Sequence, residues 1–190
     1  MDGSHPSAES EIPRRRFSAS NVLVMIDAGV FKPDERVELI AGELITMSPQ
    51  GPLHWDLTYA LSRWFMRSMP ETLGVAVQGP LRLGEFYEPE PELFVFSAAI
   101  GVNEVRGPDV VLLVEISHSS LAYDLKVKAP IYAAHGVREF WVVDVERRRT
   151  LVHRLAGDGI YGEAIATPFE EALAAPAGLS LAIADLKPKA

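Results

Sequence analysis

The chain has 190 residues, 48% of them hydrophobic, which is enough for one domain with a proper core. Its 26 acidic and 18 basic residues give a formal charge of −8, which argues against broad nonspecific nucleic-acid affinity but leaves room for a local basic surface or a cation that offsets the acids. Cysteine is absent, so a disulfide framework, a thiolate metal site and a cysteine nucleophile are excluded; no apolar stretch approaches the roughly 20 residues of a membrane span, and a cytoplasmic protein is expected.

Residues 1–16 are polar, contain prolines and lack periodicity, and read as a flexible leader ahead of a single domain over residues 17–190. The leader ends in Arg14, Arg15 and Arg16, a run suited to a phosphate backbone or to a solvated arm. Ser18 or Ser20 can cap a helix through about Ala28, and Gly29 and Pro33 mark the loop after it. Val37 to Met47 holds two short apolar segments around Ala41-Gly42, the pattern of a tight hairpin with Glu38 and Glu43 in its polar slots. Glu38 is either a solvated strand residue or a residue that faces a site. A loop from Pro49 to Pro52 precedes a helix from Leu53 to Met69, with Leu57, Leu61, Trp64 and Phe65 on one stripe and His54 in the first turn.

From Gly74 to Phe96 the period changes to two, and three strands are expected: Val75–Gln78, Leu81–Phe86 and Leu93–Phe96. Glu92, preceded by Pro91, stands at the start of the third, where an acid is weak evidence by itself. After a loop, Val110 to Val114 is a continuous aliphatic run suited to a strand covered on both faces, and it ends on a carboxylate, Glu115. Ser117, Ser119 and Ser120 offer caps for a helix to about His135, with Gly136 suited to a left-handed end. Phe140 to Val143 follows as the next strand, so strand, helix and strand form a parallel βαβ unit.

On a wheel of about 100° per residue, Leu121, Leu125, Ile131 and Tyr132 define the apolar face of that helix, and Asp124 and Lys128 project from its middle, toward the sheet. Pro130 lies on the opposite side, where its missing N–H is expected to bend the helix. Charges buried there need each other or a ligand: Asp124 and Lys128 either close an i,i+4 ion pair or belong to a site with Glu115. Farther on, Thr150 to Leu155 and Ile160 to Ala166 read as a terminal hairpin, and the alanine-rich last twenty residues are expected to close one edge of the sheet. No internal repeat, Walker-type loop, GxGxxG or GxSxG is present.

Several of these residues stand together in a recognisable order. Glu115-Ile116-Ser117, Ser119-Ser120, Asp124, Lys128, Tyr132, Gly136-Val137 and Phe140-Trp141-Val142-Val143-Asp144 resemble the signature of the Uma family of restriction endonucleases, within the PD-(D/E)xK nuclease superfamily. Val37 to Leu44, Met47-Ser48-Pro49, His54 and Pro89-Glu90-Pro91-Glu92-Leu93 extend the likeness over roughly residues 18–155. The resemblance implies an α/β fold with a restriction-endonuclease-like core: a mixed β-sheet flanked by helices, with the N-terminal helix and β-hairpin added.

It also implies a site. Glu92 takes the position of the motif aspartate and Glu115 that of the second-strand acid, so both would hold one Mg2+ or Mn2+, with His54 outside the metal's direct ligands. Ser117 stands where the superfamily has its lysine, and Lys128 on the following helix is the matching position; Asp124 and Glu38 would support it. Such a set suits phosphodiester hydrolysis: a hard cation on carboxylates polarises the phosphate and lowers the pKa of an attacking water, and the ammonium orients it or neutralises developing charge. The implied activity is a metal-dependent DNA endonuclease, for which a homodimer would match the two strands of a duplex. The competing reading is a binding or regulatory module that keeps the fold and uses the acidic cleft for an ion or a protein. The acidic balance and Glu92 in place of aspartate favour that alternative.

Overall fold

The computed structural model describes residues 14–47 and 50–186; residues 1–13 of the expected leader, and Ser48 and Pro49, lie outside them. Arg16 is already part of the fold: its Nε donates to the Ala41 carbonyl at 2.8 Å and its guanidinium sits 4.1 Å from the Phe86 ring centroid. Helix α1 (Ala19–Asp27) starts at the cap read from the sequence, with the Asn21 N–H donating to Ser18 Oγ and the Ser18 N–H to Asn21 Oδ1. Strands β1 (Val37–Ile40) and β2 (Glu43–Thr46) form a two-stranded sheet of their own. Its turn is Ala41-Gly42, both at positive φ, the conformation that matches the twist of a two-residue hairpin.

Helix α2 (Pro52–Ser68) is followed by the main sheet, made of β3 (Leu73–Val77), β4 (Leu93–Ser97), β5 (Val110–Ser117), β6 (Glu139–Asp144), β7 (Arg149–Arg154) and β8 (Ile165–Pro168) in that spatial order. Every neighbouring pair is antiparallel except β5 and β6, whose parallel pairing is closed by the crossover helix, as the βαβ reading requires. Residues alternate between two cores. Leu93, Val95, Leu112, Val114, Trp141 and Val143 pack with Leu61 and Phe65 of α2, while Phe94, Leu113, Phe140 and Val142 pack with Tyr132 from the crossover. Because β4, β5 and β6 are covered on both faces, their runs are continuously apolar.

The crossover helix α3 has α-helical ends, Leu121–Tyr123 and Ala129–Ala134, around a π-helical segment, Asp124–Lys128. The expected bend at Pro130 is replaced by this wider turn: the Ala129 N–H reaches back five residues to the Asp124 carbonyl, so the i−4 ladder is already interrupted before the residue that has no N–H. Gly136 ends α3 at φ +84, and Gly107 allows the loop before β5 to pass beneath that end, since a Cβ there would lie 1.9 Å from the His135 carbonyl oxygen.

Three expectations are corrected. Leu81–Phe86 is not a strand: Leu81 and Leu83 are buried, but their N–H groups bond to the nearby Pro89 and Tyr87 carbonyls in a loop whose prolines at 80, 89 and 91 lack the donors a ladder needs. The partner of β7 is Ile165–Pro168; the Ile160–Ala166 stretch contributes an isolated bridge from Tyr161 to Leu155 before the chain swings into register. The C-terminal residues do not close an edge. They form a hairpin of β9 (Ala172–Ala175) and β10 (Leu179–Ala182) whose Leu173, Ala175 and Leu181 bury against the α2-side core, which gains more from apolar contact than an edge strand would offer.

Candidate active site

A cavity of about 510 Å³ opens where β1, β5, α3 and the start of α2 meet, and Glu38, His54, Glu92, Glu115, Asp124 and Lys128 all line it. Each of the five charged groups is at most 4% exposed, so the packing rather than solvent must satisfy them.

Lys128 is the hub. Its Nζ donates to Glu115 Oε1 at 2.9 Å and to Glu38 Oε1 at 2.7 Å, joining α3 to the main sheet and to the separate hairpin. Tyr132, one turn further along α3, donates its hydroxyl to the same Glu115 oxygen at 2.7 Å, and Glu38 Oε1 also accepts the Glu90 N–H at 2.8 Å. Of the two alternatives for Asp124 and Lys128, the i,i+4 ion pair is not formed. In the wider π turn the two side chains separate, and Asp124 Oδ2 accepts from Ser117 Oγ and Ser120 Oγ instead, both at 2.6 Å. Ser117, two residues after Glu115, thus orients the aspartate one turn before Lys128.

Glu92 sits in a different web. His54 Nε2 lies 3.2 Å and Gln50 Nε2 2.7 Å from its Oε1, while Gln78 Nε2 at 3.0 Å and Thr58 Oγ1 at 3.4 Å donate to Oε2. Gln78 also donates its backbone N–H to the Glu92 carbonyl, from a left-handed conformation with φ 49 that is costly for a residue with a side chain. Glu92 and Glu115 therefore face one cavity but share no hydrogen-bond partner among the described residues.

The electrostatics follow from this wiring. Burial pushes the Glu115 carboxyl up to about 8; Lys128 opposes the rise, and the charges of Asp124 and Glu38 add to it. Burial works against the Lys128 ammonium, yet Glu115, Glu38 and Asp124 outweigh it and hold the lysine charged above its ordinary range. Burial likewise opposes the charged form of Glu92, but the hydrogen bond and charge of His54, with Gln78 and Arg36, prevail and keep its carboxyl below the ordinary value. Desolvation also keeps Tyr132 neutral, as its donation to Glu115 requires.

The donor set fits a hard divalent cation. Glu38, Glu92, Glu115 and Asp124 line the cavity with one lysine, an excess of negative charge, and Glu115 Oε2 and Asp124 Oδ1 accept no hydrogen bond from the described residues. No three His, Cys, Asp or Glu side chains among the described residues are gathered into a cage. A cation there would be held by one or two carboxylates, with water completing its shell.

The Uma2 family model, described as “putative restriction endonuclease”, matches residues 23–186. The chain belongs to this family. Among solved structures, the fold is similar to the crystal structure of “a putative nuclease belonging to DUF820” from Anabaena variabilis ATCC 29413, at 17% identity and a TM-score of 0.65, over 84% of this chain and 94% of that one. No curated protein matches the sequence. Membership of Uma2 agrees with the resemblance read from Glu115, Lys128 and their neighbours, and the mixed sheet with flanking helices is the fold shared with that solved structure. No helix among the described residues is long and apolar enough to cross a membrane.

The sequence reading did not assign Gln50, Thr58 or Gln78 to the site. Thr58 and His54 lie one turn apart on α2, the only local signal that both face the same way, and Gln78 ends an apolar alternation just before Gly79-Pro80. Neither pattern by itself points to Glu92.

Proposed function

We propose that this Uma2 protein is a divalent-metal-dependent endonuclease that hydrolyses DNA phosphodiester bonds, with Glu92 and Glu115 as the carboxylates that face the cation and Lys128 as the catalytic lysine. The observation that carries the reading is the buried ammonium of Lys128 held between Glu38 and Glu115 in the wall of a cavity that also contains Glu92 and Asp124. Ion pairs this deep rarely improve on apolar packing for stability alone, and perturbed groups converging on a cleft are a mark of function. The superfamily's use of divalent ions and the hard oxygen donors favour Mg2+ or Mn2+.

When bound, such a cation polarises the phosphate and lowers the pKa of an attacking water. The chain's own residues do the rest. Glu115 loses the proton that burial favours and becomes a full anion toward the cavity. Lys128 offers a fixed positive charge to the negative charge that develops on the phosphate, and Glu38, held by the Glu90 N–H, fixes the direction in which that charge points. Asp124, oriented by Ser117 and Ser120, adds negative potential beside Lys128 and keeps it protonated.

One observation favours the alternative of a binding or regulatory module: both oxygens of Glu92 are already engaged by neutral amides, a hydroxyl and His54. Incubation of wild type and Lys128→Met with supercoiled plasmid and with single-stranded DNA, with Mg2+ or Mn2+, separates the two. Cleavage by wild type that is lost in Lys128→Met while metal binding persists supports the nuclease. Metal binding without cleavage of either substrate supports the module.

A further inference from the structure

Helix α2 is apolar on two sides. Its inner side carries Leu61 and Phe65 into the core and turns His54 and Thr58 toward Glu92. On the outer side Trp55, Tyr59 and Met66 stand 57%, 55% and 58% exposed, three large side chains on one side of one helix. With Ser62, buried between them and donating its hydroxyl to the Thr58 carbonyl at 2.6 Å, they recur at spacings of four, three and four residues, within a sector about 60° wide at about 100° per residue. Alternating steps of three and four form the seam by which one helix packs along another.

The seam is self-complementary. Laid antiparallel across a twofold axis, it pairs Trp55 with the second copy's Met66 and Tyr59 with its Ser62, then repeats those contacts in reverse. Each bulky aromatic thus meets a flexible thioether or a small residue, the alternation that close helix packing needs. Along the solvent flank of the seam stand Asp56 and Arg63, seven residues apart, and antiparallel pairing sets each Asp56 beside the other copy's Arg63. Among the described residues neither takes part in an ion pair within the chain. A parallel arrangement would not bring these opposite charges together.

We infer that the outer face of α2 is the interface of a symmetric homodimer, with the second copy's α2 packed antiparallel against it through Trp55, Tyr59, Ser62 and Met66 and flanked by two Asp56 to Arg63 pairs. The seam runs over 12 residues, about 17 Å of helix from the first to the last, so the association is a compact, concentration-dependent one rather than an obligate assembly. The inference is independent of the chemistry proposed for the cavity, since none of these four seam residues contacts Glu115 or Lys128.

Sedimentation velocity on the full chain from about 1 to about 100 µM tests it. Wild type should pass from monomer to dimer in that range and Tyr59→Asp should stay monomeric. Because symmetry doubles each contact, Asp56→Arg alone and Arg63→Asp alone each replace two attractive pairs with two repulsive ones and should weaken the dimer by about tenfold. The double variant Asp56→Arg/Arg63→Asp restores the attraction with its sense reversed and should return to within about threefold of wild type. These two residues are exposed or half-exposed, so the charge series remains interpretable even if Tyr59→Asp folds poorly. A wild type that is monomeric throughout, a dimer that survives a folded Tyr59→Asp, or a double variant no tighter than either single one would overturn the inference.

Discussion

Replacing Lys128 with Met removes one positive charge while keeping most of the side chain's volume, and it leaves Glu38 and Glu115, 1% and 4% exposed, facing each other without a cation. Removing one partner of a buried ion pair typically costs about 3 to 5 kcal/mol, because the remaining charge is neither solvated nor paired. Here an escape exists. Glu115 is already pushed up to about 8, and without Lys128, the neighbour that opposes that rise, it holds its proton more strongly still. A carboxyl whose folded pKa exceeds its unfolded value of about 4.5 binds a proton in the folded state that the unfolded chain releases, so stability falls as pH rises between those two values. Lys128→Met should therefore lose about 3 to 5 kcal/mol near pH 8.5 and less near pH 5.5, where the folded chain keeps Glu115 protonated. Urea unfolding followed by the fluorescence of Trp64 and Trp141, both in the α2-side core, measures this at each pH. A loss below about 1 kcal/mol at the higher pH, or one that does not change with pH, would refute the reasoning, because it would mean that Lys128 does not neutralise buried carboxylates.

Three further outcomes follow from the same geometry. Cation binding to the cavity must displace the proton that burial favours on Glu115, so Mg2+ affinity should rise from about pH 6 to about pH 8 and calorimetry in buffers of different ionisation heat should report proton release; pH-independent binding would exclude Glu115 as a ligand. Gln78→Gly relieves the left-handed φ of 49 whereas Gln78→Ala retains it, and both lose the amide donated to Glu92, so the glycine variant should be more stable than the alanine one by about 1 kcal/mol in thermal unfolding. Gly107→Ala would drive a Cβ to 1.9 Å from the His135 carbonyl oxygen, and a loss of more than about 2 kcal/mol is expected, with a smaller loss showing that the loop beneath α3 moves freely.

The local order of side chains was enough to locate much of the architecture. Continuous aliphatic runs at Val110–Val114 and Phe140–Val143 with a Gly-terminated amphipathic helix between them leave few arrangements other than a covered parallel pair, and Leu112 and Val142 are fully buried as that requires. The helical wheel turned Lys128 toward the sheet, and its side chain does lie there, although the turn that carries it is π-helical. Ser18 as a cap and Ala41-Gly42 as a hairpin turn were legible because they depend on residues within three or four positions. Leu81–Phe86 misled because two-residue alternation records only which side chains are buried, and a loop can bury Leu81 and Leu83 without joining a sheet.

What the sequence by itself determined, then, was the set of elements, the apolar faces that must meet, and the presence of more acids than one lysine can balance near the end of β5. The tertiary structure decided which of those acids Lys128 answers: Glu38, 90 residues away on a separate hairpin, and Glu115, rather than Asp124 four residues before it. It also decided that Glu92 would be wired to Gln50, Thr58, Gln78 and His54. The reason is range. Periodicity and capping are set by backbone geometry over a few residues, whereas the partner of a buried charge is whichever group the packed chain brings within about 3 Å, and no local pattern encodes that distance.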